Sequence, residues 1–178
     1  KSPRRKKKNT AAKPEQLRRN ILIISAVIIF VASLGYLLYL GLQPAEIIAG
    51  LVNYGRQSRG HDETIQIDFG ELPPVGGTHN PVWQNCGIYT EPVDPEHAVH
   101  SLEHGAVWIT YQPDLPADEI AALQDYTRGQ IFILLSPYPG QRSPVIATAW
   151  SVQLELESAS DNRLAEFVGR YRLGPTTP

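Results

Sequence analysis

Four potential metal ligands lie within twenty-six residues near the middle of a chain of 178 residues that holds five histidines and one cysteine. They are His79, Cys86, His100 and His104. His100 and His104 are four residues apart, so on a helix their imidazoles share one face and can chelate one ion. A thiolate with two or three imidazoles suits Zn²⁺ or copper. We therefore predict that these four side chains bind a transition metal ion, copper or zinc, and that Glu103 orients a ligating imidazole by hydrogen bonding to it.

The same residues also have readings that involve no metal. Histidine is common on helix surfaces, a helix C-terminus favours His104 as a cation, and a lone Cys86 can be a small buried hydrophobe. A blue-copper centre is disfavoured because the chain has no methionine to serve as the usual axial ligand. Residues 100–104 match the H-x-x-E-H pattern of some zinc peptidases, but so short a pattern is weak and the domain is small for a substrate cleft.

A short helix and a loop must position these candidates. Residues 94–105 are predicted to be a helix, because Asp94 can cap it, Pro95 fits its first turn and Gly105 can close its last turn. The segment 72–86 is rich in proline and glycine and is predicted to be an ordered loop that brings its histidine and cysteine to the helix.

The remaining pattern predicts an α+β domain. Alternating or β-branched apolar runs indicate strands, and apolar residues at helical spacing indicate two further helices. The strands are predicted at residues 64–69, 106–111, 131–135 and 145–154, and the helices at 116–126 and 160–171. We expect a small mixed β-sheet covered by two or three helices and preceded by one transmembrane helix.

Charge and hydropathy divide the first third of the chain. Residues 1–20 hold nine basic residues and one acid, a net charge of +8, whereas the rest holds seven arginines and seventeen acids, a net charge of −10. Residues 21–42 are predicted to be a transmembrane helix, because the twenty-one uncharged residues 21–41 would form a helix about 32 Å long. Residues 43–60 are predicted to be a juxtamembrane helix (44–54) and a linker, and residues 61–178 the globular domain.

The basic segment directly before the span predicts the orientation. Positively charged segments stay on the cytoplasmic side, so we expect a basic cytoplasmic tail, a single pass through the plasma membrane and an extracytoplasmic domain. The apolar run is too long for a typical secretory signal. Nucleic-acid binding by the tail is the less favoured interpretation.

Three stretches of the domain resemble a bacterial family known as domain of unknown function 3105. They are GGTH at residues 76–79, NCGIY at 85–89 and VHSLEHG at 99–105. The resemblance covers about residues 65–171 and implies a single-pass anchor with an extracytoplasmic α+β domain and no established activity. All five candidate site residues fall on its motifs, whereas His61 and His97 lie outside them and are left out of the predicted site.

Two functions follow as hypotheses. The first is binding of a transition metal in a closed structural or metal-handling site. The alternative is a metal-free accessory or scaffold subunit of a larger membrane protein complex, suggested by the anchor and by an apolar face predicted at residues 47–52. No complete catalytic motif is present, so the sequence favours no enzyme activity and identifies no small-molecule substrate or nucleic-acid partner.

Overall fold

The computed structural model describes residues 14–42 and 47–178, which belong to two compact units, Lys1–Glu46 and Ile47–Pro178. The first unit contains helix α1 (Pro14–Gly41). Its apolar window has a mean hydropathy of 2.7, and the Ser33 hydroxyl donates to the carbonyl of Ile29 at 2.8 Å, which satisfies that polar group inside the helix. By length and composition α1 can cross a membrane. The first thirteen residues of the predicted basic tail lie outside the described residues.

The second unit is built on one mixed sheet of six strands with three helices. In spatial order the strands are β1, β6, β5, β3, β4 and β2. Strand β4 pairs in parallel with both β3 and β2, and the other pairings are antiparallel. The elements are β1 (Val52–Asn53), β2 (Gly87–Ile88), α2 (Pro95–Glu103), β3 (Val107–Tyr111), α3 (Ala117–Thr127), β4 (Ile133–Pro137), β5 (Val145–Ala149), β6 (Val152–Leu156) and α4 (Asn162–Tyr171). The predicted α+β class is confirmed.

The sheet separates two apolar clusters, because side chains of a strand alternate between its faces. Ile109 and Leu135 point to the larger cluster, which α3 and α4 complete. Trp108 and Leu134 point to the smaller cluster, which contains Ala98, Val99 and Leu102 of α2. Among the helices of the unit Ile47–Pro178, α2 is the one that contributes to the smaller cluster, and its side away from the sheet can carry polar side chains.

Two of the predicted elements are wrong. Within residues 47–54 the chain forms a turn and β1, not a helix, and Ile48 is buried in the larger core cluster. The predicted strand at residues 64–69 is irregular. Its alternation is reflected in partly buried Ile65 and Ile67, but the Ile67 amide donates to the Glu96 carboxylate at 3.3 Å rather than to a strand.

The predicted long strand at residues 145–154 is a hairpin. Strands β5 and β6 pair antiparallel with Val145 opposite Leu156, and Trp150 and Ser151 form the two-residue turn between them. Ser151, the second central residue of the turn, has a φ of 67°, in the left-handed region that glycine or asparagine occupies more often at this position. The sequence lacks the Asn-Gly or Gly at this turn that would have predicted it.

Candidate metal centre

The C-terminal end of α2 and the residue that follows it carry three polar side chains on the face away from the sheet. The sheet-facing residues Ala98, Val99 and Leu102 are fully buried, and this fixes the rotation of α2. His100, Glu103 and His104 consequently lie together, as the spacing of three and four residues predicts. Asp94 occupies the position before the helix, but its side chain makes no capping hydrogen bond.

The loop before α2 delivers His79. Gly76 and Gly77 have φ values of 149° and 105°, which glycine adopts readily and other residues rarely do. The loop is held against α2 because the Asn80 amide donates to the Glu96 carbonyl at 3.3 Å and the Ser101 hydroxyl donates to the Gln84 carbonyl at 2.6 Å. This anchoring leaves His79 fully buried, with 0% exposure.

A backbone bridge brings a third histidine, His61, to the same place. The His79 amide donates to the Gly60 carbonyl at 3.0 Å, and the Asp62 amide donates to the His79 carbonyl at 2.9 Å. The two bonds form a short parallel bridge between His61 and His79. His61 was excluded by the motif argument. The clustering of all five histidines between residues 61 and 104 was the one sequence signal that included it.

The side chains of His61, His79, His100 and Glu103 converge on one point. One potential ligand atom from each lies within 4.8 Å of the others. A Glu103 carboxylate oxygen is 3.1 Å from His79 Nε2 and 3.4 Å from His61 Nε2. Ligands about 2.0–2.1 Å from a tetrahedral Zn²⁺ are about 3.3 Å apart, so these separations match those of ligands that share an ion.

The three imidazole rings form a nearly regular triangle. Their centroids are 4.7 Å (His61–His79), 5.0 Å (His79–His100) and 5.1 Å (His61–His100) apart. Three corners of a square plane would give one separation about 1.4 times the other two. The arrangement therefore fits three adjacent positions of a tetrahedral or octahedral ion better than a square-planar one.

Backbone carbonyls fix the orientation of the two buried imidazoles. His79 Nδ1 is 2.8 Å from the Gly77 carbonyl oxygen, and His100 Nδ1 is 2.8 Å from that of Asn80. A carbonyl only accepts, so in each ring Nδ1–H donates and Nε2 faces the cluster. Donation of the second ring nitrogen to a backbone carbonyl is typical of metal-binding histidines.

The contact between His79 and Glu103 requires a positive centre. Once Nδ1–H of a neutral His79 is committed to Gly77, its Nε2 carries a lone pair that faces a carboxylate oxygen at 3.1 Å. Two acceptors at that distance repel unless a proton or a metal ion lies between them. Burial lowers the pKa of His100 below its ordinary value, and the neighbouring His79, His104 and His61 lower it further, which keeps the Nε2 of His100 available as a ligand.

His104 lies at the exposed edge of the cluster. Its ring stacks on that of His100 with centroids 4.8 Å apart, and the two Nε2 atoms are 2.9 Å apart. The cluster opens to solvent on this side, in a pocket of about 450 Å³ whose walls include Arg59, His61 and His104. His104 thus adjoins the group that converges on the possible ion position.

Cys86 is not part of this group. It is an exposed free cysteine and, within the part of the chain that the structure describes, its sulfur does not join the ligand atoms that converge. It lines a separate pocket of about 420 Å³ with Trp83, Phe132 and His104. Partial desolvation of the sulfur raises the pKa of the Cys86 thiol, so its thiolate fraction at neutral pH is smaller than that of an ordinary cysteine.

His97 takes part in another interaction. Its Nδ1 is 2.6 Å from the Val82 carbonyl, where it helps to hold the loop on α2. With Asp94 and Glu96 it forms a second, more exposed group of potential ligands, of a kind that surface acids commonly form without an ion.

The fold and the site together define a class of protein: an α+β domain with a partly buried histidine–carboxylate cluster able to hold a metal ion, preceded by an apolar helix of membrane-spanning length. Residues 61–178 match the family described as "Protein of unknown function (DUF3105)", and the chain belongs to that family. No curated protein and no solved structure matches the chain. The family and the apolar helix fit a membrane-anchored domain.

Proposed function

We propose that the domain binds one divalent transition metal ion, Zn²⁺ in preference to copper, through Nε2 of His61, His79 and His100 and the carboxylate of Glu103. The observation that carries the proposal is the convergence of three imidazoles and one carboxylate within 4.8 Å. Glu103 then acts as a ligand rather than only as the orienting partner that the sequence predicts.

The donor set supports a borderline or hard ion. Imidazole and carboxylate ligands suit Zn²⁺, whereas Cu(I) prefers thiolate and thioether sulfur. The chain has no methionine, and Cys86 lies outside the converging group. The triangle of imidazole rings also argues against the square-planar geometry that Cu²⁺ favours.

Burial of the ligands supports a site that is prepared before the ion arrives. His79 is fully buried and His100 is 6% exposed, and each has its Nδ1–H bonded to a backbone carbonyl. This leaves the second ring nitrogen of each facing the cluster, 3.1 Å from the Glu103 carboxylate for His79 and 2.9 Å from His104 Nε2 for His100. Because the rings are already held in this orientation, little reorganisation is needed for an ion to bind them together with the carboxylate.

Metal analysis of the full chain, purified in detergent, equilibrated with Zn²⁺ and then separated from free ions, tests this function. We expect one zinc per chain, and a loss of at least about 100-fold in affinity in His61→Ala, whose side chain is 43% exposed and can change without opening the core. His97→Gln and Cys86→Ser are matched controls from the same region and should keep the zinc. Absence of zinc from the wild type, or its loss in His97→Gln alone, would overturn the proposal.

We further propose that α1 anchors the domain in the plasma membrane, with the N-terminus in the cytoplasm and the domain outside. The support is the apolar length of α1 and the basic residues that precede the span. Cys86, the single cysteine of the chain, is exposed and therefore reports topology without mutagenesis. A membrane-impermeant maleimide should label intact cells at Cys86 and not label Cys86→Ser. Labelling only after lysis would contradict this orientation, and recovery of the domain in the soluble fraction would indicate a cleaved signal.

The accessory-subunit alternative stays a prediction. The apolar face that suggested it is divided, because Ile48 belongs to the core whereas Ile47 is exposed. Co-purification of a partner at fixed stoichiometry in mild detergent would favour it, and it is compatible with a bound ion.

A further inference from the structure

The proposed metal site is closed on the side of the sheet and open on the side of His61 and His104. His79 is fully buried beneath the cluster, whereas the pocket of about 450 Å³ reaches His100 and Glu103 from solvent. Four protein ligands complete a tetrahedral site, but a Zn²⁺ that is reached by solvent can expand to five-coordination by binding one further ligand.

His104 holds a hydrogen-bond donor at the solvent edge of the cluster. Because His100 Nδ1–H donates to Asn80, the Nε2 of a neutral His100 can only accept, and the 2.9 Å contact requires His104 to donate its Nε2–H. An ion bound to the lone pair of His100 displaces this N–H, because the two cannot share that lone pair. The exposed His104 ring must then turn its N–H away from the ion, and the solvent side of the pocket is where it can find a new acceptor.

Arg59 adds a second donor at the rim of the same pocket. Its Nε is 3.9 Å from a Glu103 oxygen, and its side chain is 56% exposed, so the guanidinium keeps most of its five N–H donors free of that contact. A guanidinium pairs with carboxylates and oxyanions in a planar, two-pronged geometry that suits anionic oxygen.

The net charge of the pocket with the metal ion bound determines whether a further ligand should be positively or negatively charged. A divalent ion and Arg59 contribute three positive charges, and Glu103, the one acidic side chain among the pocket walls, contributes one negative charge. A free α-carboxylate on Pro178, which also lines the pocket, would contribute a second. With neutral imidazoles the pocket therefore carries a net charge of about +1 to +2, which favours an anion over a neutral or cationic ligand.

We propose that the metal-loaded pocket binds a small anion, a carboxylate or another anionic oxygen donor, at the open coordination position, held by hydrogen bonds from His104 and Arg59. This inference rests on the proposed metal site. It assigns His104 to binding of the exogenous anion rather than to the ion itself.

Cobalt replacement in the full chain in detergent tests the inference, because the visible bands of Co²⁺ report its ligands. Azide and acetate serve as probes. We expect saturable changes in the bands, with affinity weakened about tenfold or more in Arg59→Gln and in His104→Phe, since a hydrogen bond to a charged group is lost in each. Phenylalanine keeps a ring against His100. Arg56→Gln removes the same charge three residues away, outside the walls of this pocket, and should bind azide as the wild type does.

The outcomes separate the two proposals. Failure of the wild type to bind cobalt would overturn the metal site itself. Stoichiometric cobalt with bands that neither probe changes, or loss of cobalt during the titration, would overturn the anion site. Equal azide affinity in wild type, Arg59→Gln and His104→Phe would overturn the assignment of the two donors.

Discussion

Glu103→Gln is the sharpest single test of the cluster, because it removes one charge and one ligand and keeps the shape of the side chain. Zinc that binds only the folded state stabilises it by about 2.7 kcal/mol when free zinc is about 100 times the dissociation constant. The unit Ile47–Pro178 has about 130 residues, so its unfolding entropy is about 0.27 kcal/mol/K, and the melting temperature should rise by about 10 °C.

The substitution should remove most of this rise. Loss of a partner that only orients a ligand weakens metal binding by about 10–100-fold, and loss of a ligand by at least the upper figure. At the same zinc concentration about 0.4 kcal/mol then remains, a rise of about 1.5 °C.

Thermal unfolding followed by circular dichroism, with zinc and with a chelator, provides the measurement. Glu166→Gln is the matched control, since Glu166 is an exposed residue of α4. Helices α4 and α2 pack on opposite faces of the sheet, so this change is remote from the cluster. A zinc-dependent rise in Glu103→Gln equal to that of the wild type would refute the role of the carboxylate as a ligand.

Three further predictions follow from the same geometry. In zinc competition titrations, His61→Ala should weaken binding by at least about 100-fold and Cys86→Ser should leave it unchanged. The reverse order would favour the site expected from the sequence. Burial lowers the pKa of His100, so the metal-free protein is stabilised by neutral His100. This stabilisation is complete above the unfolded pKa of about 6.5 and is lost as the pH falls through the lowered folded pKa. Urea unfolding in chelator between pH 7.5 and 5 should show the free energy of unfolding decrease, and His100→Gln should make it depend less on pH. Gly76→Ala should lower zinc affinity, and should lower the free energy of unfolding by about 1–3 kcal/mol, because the new Cβ would lie 2.8 Å from Gln57 at a φ of 149°. In the control Gly169→Ala the new Cβ meets nothing within 4 Å, so this change should be neutral or stabilising by up to about 1 kcal/mol. Equal losses of stability in the two variants would contradict the reasoning.

The sequence by itself determined the features that depend on local pattern. Uncharged apolar length predicts α1, and the helix signals around Asp94 and Gly105 predict α2. Spacing within α2 then places His100 and Glu103 on one face, because neighbours along a helix are fixed by its period. Strands β3 and β4 also follow from local pattern, because continuous apolar runs predict strands that are buried on both faces.

Only the tertiary structure decided which other side chains join them. The position of His61 depends on a backbone bridge to His79, and such pairing between irregular segments has no periodic signature in the sequence. Cys86 is close to the histidines along the chain, but it leads into β2 at the sheet edge, and the path of the loop directs its thiol to a different pocket. Residues 47–53 resemble an amphipathic helix by their apolar spacing, yet β6 offers backbone partners to Val52 and Asn53, and long-range pairing of this kind overrides a weak local preference.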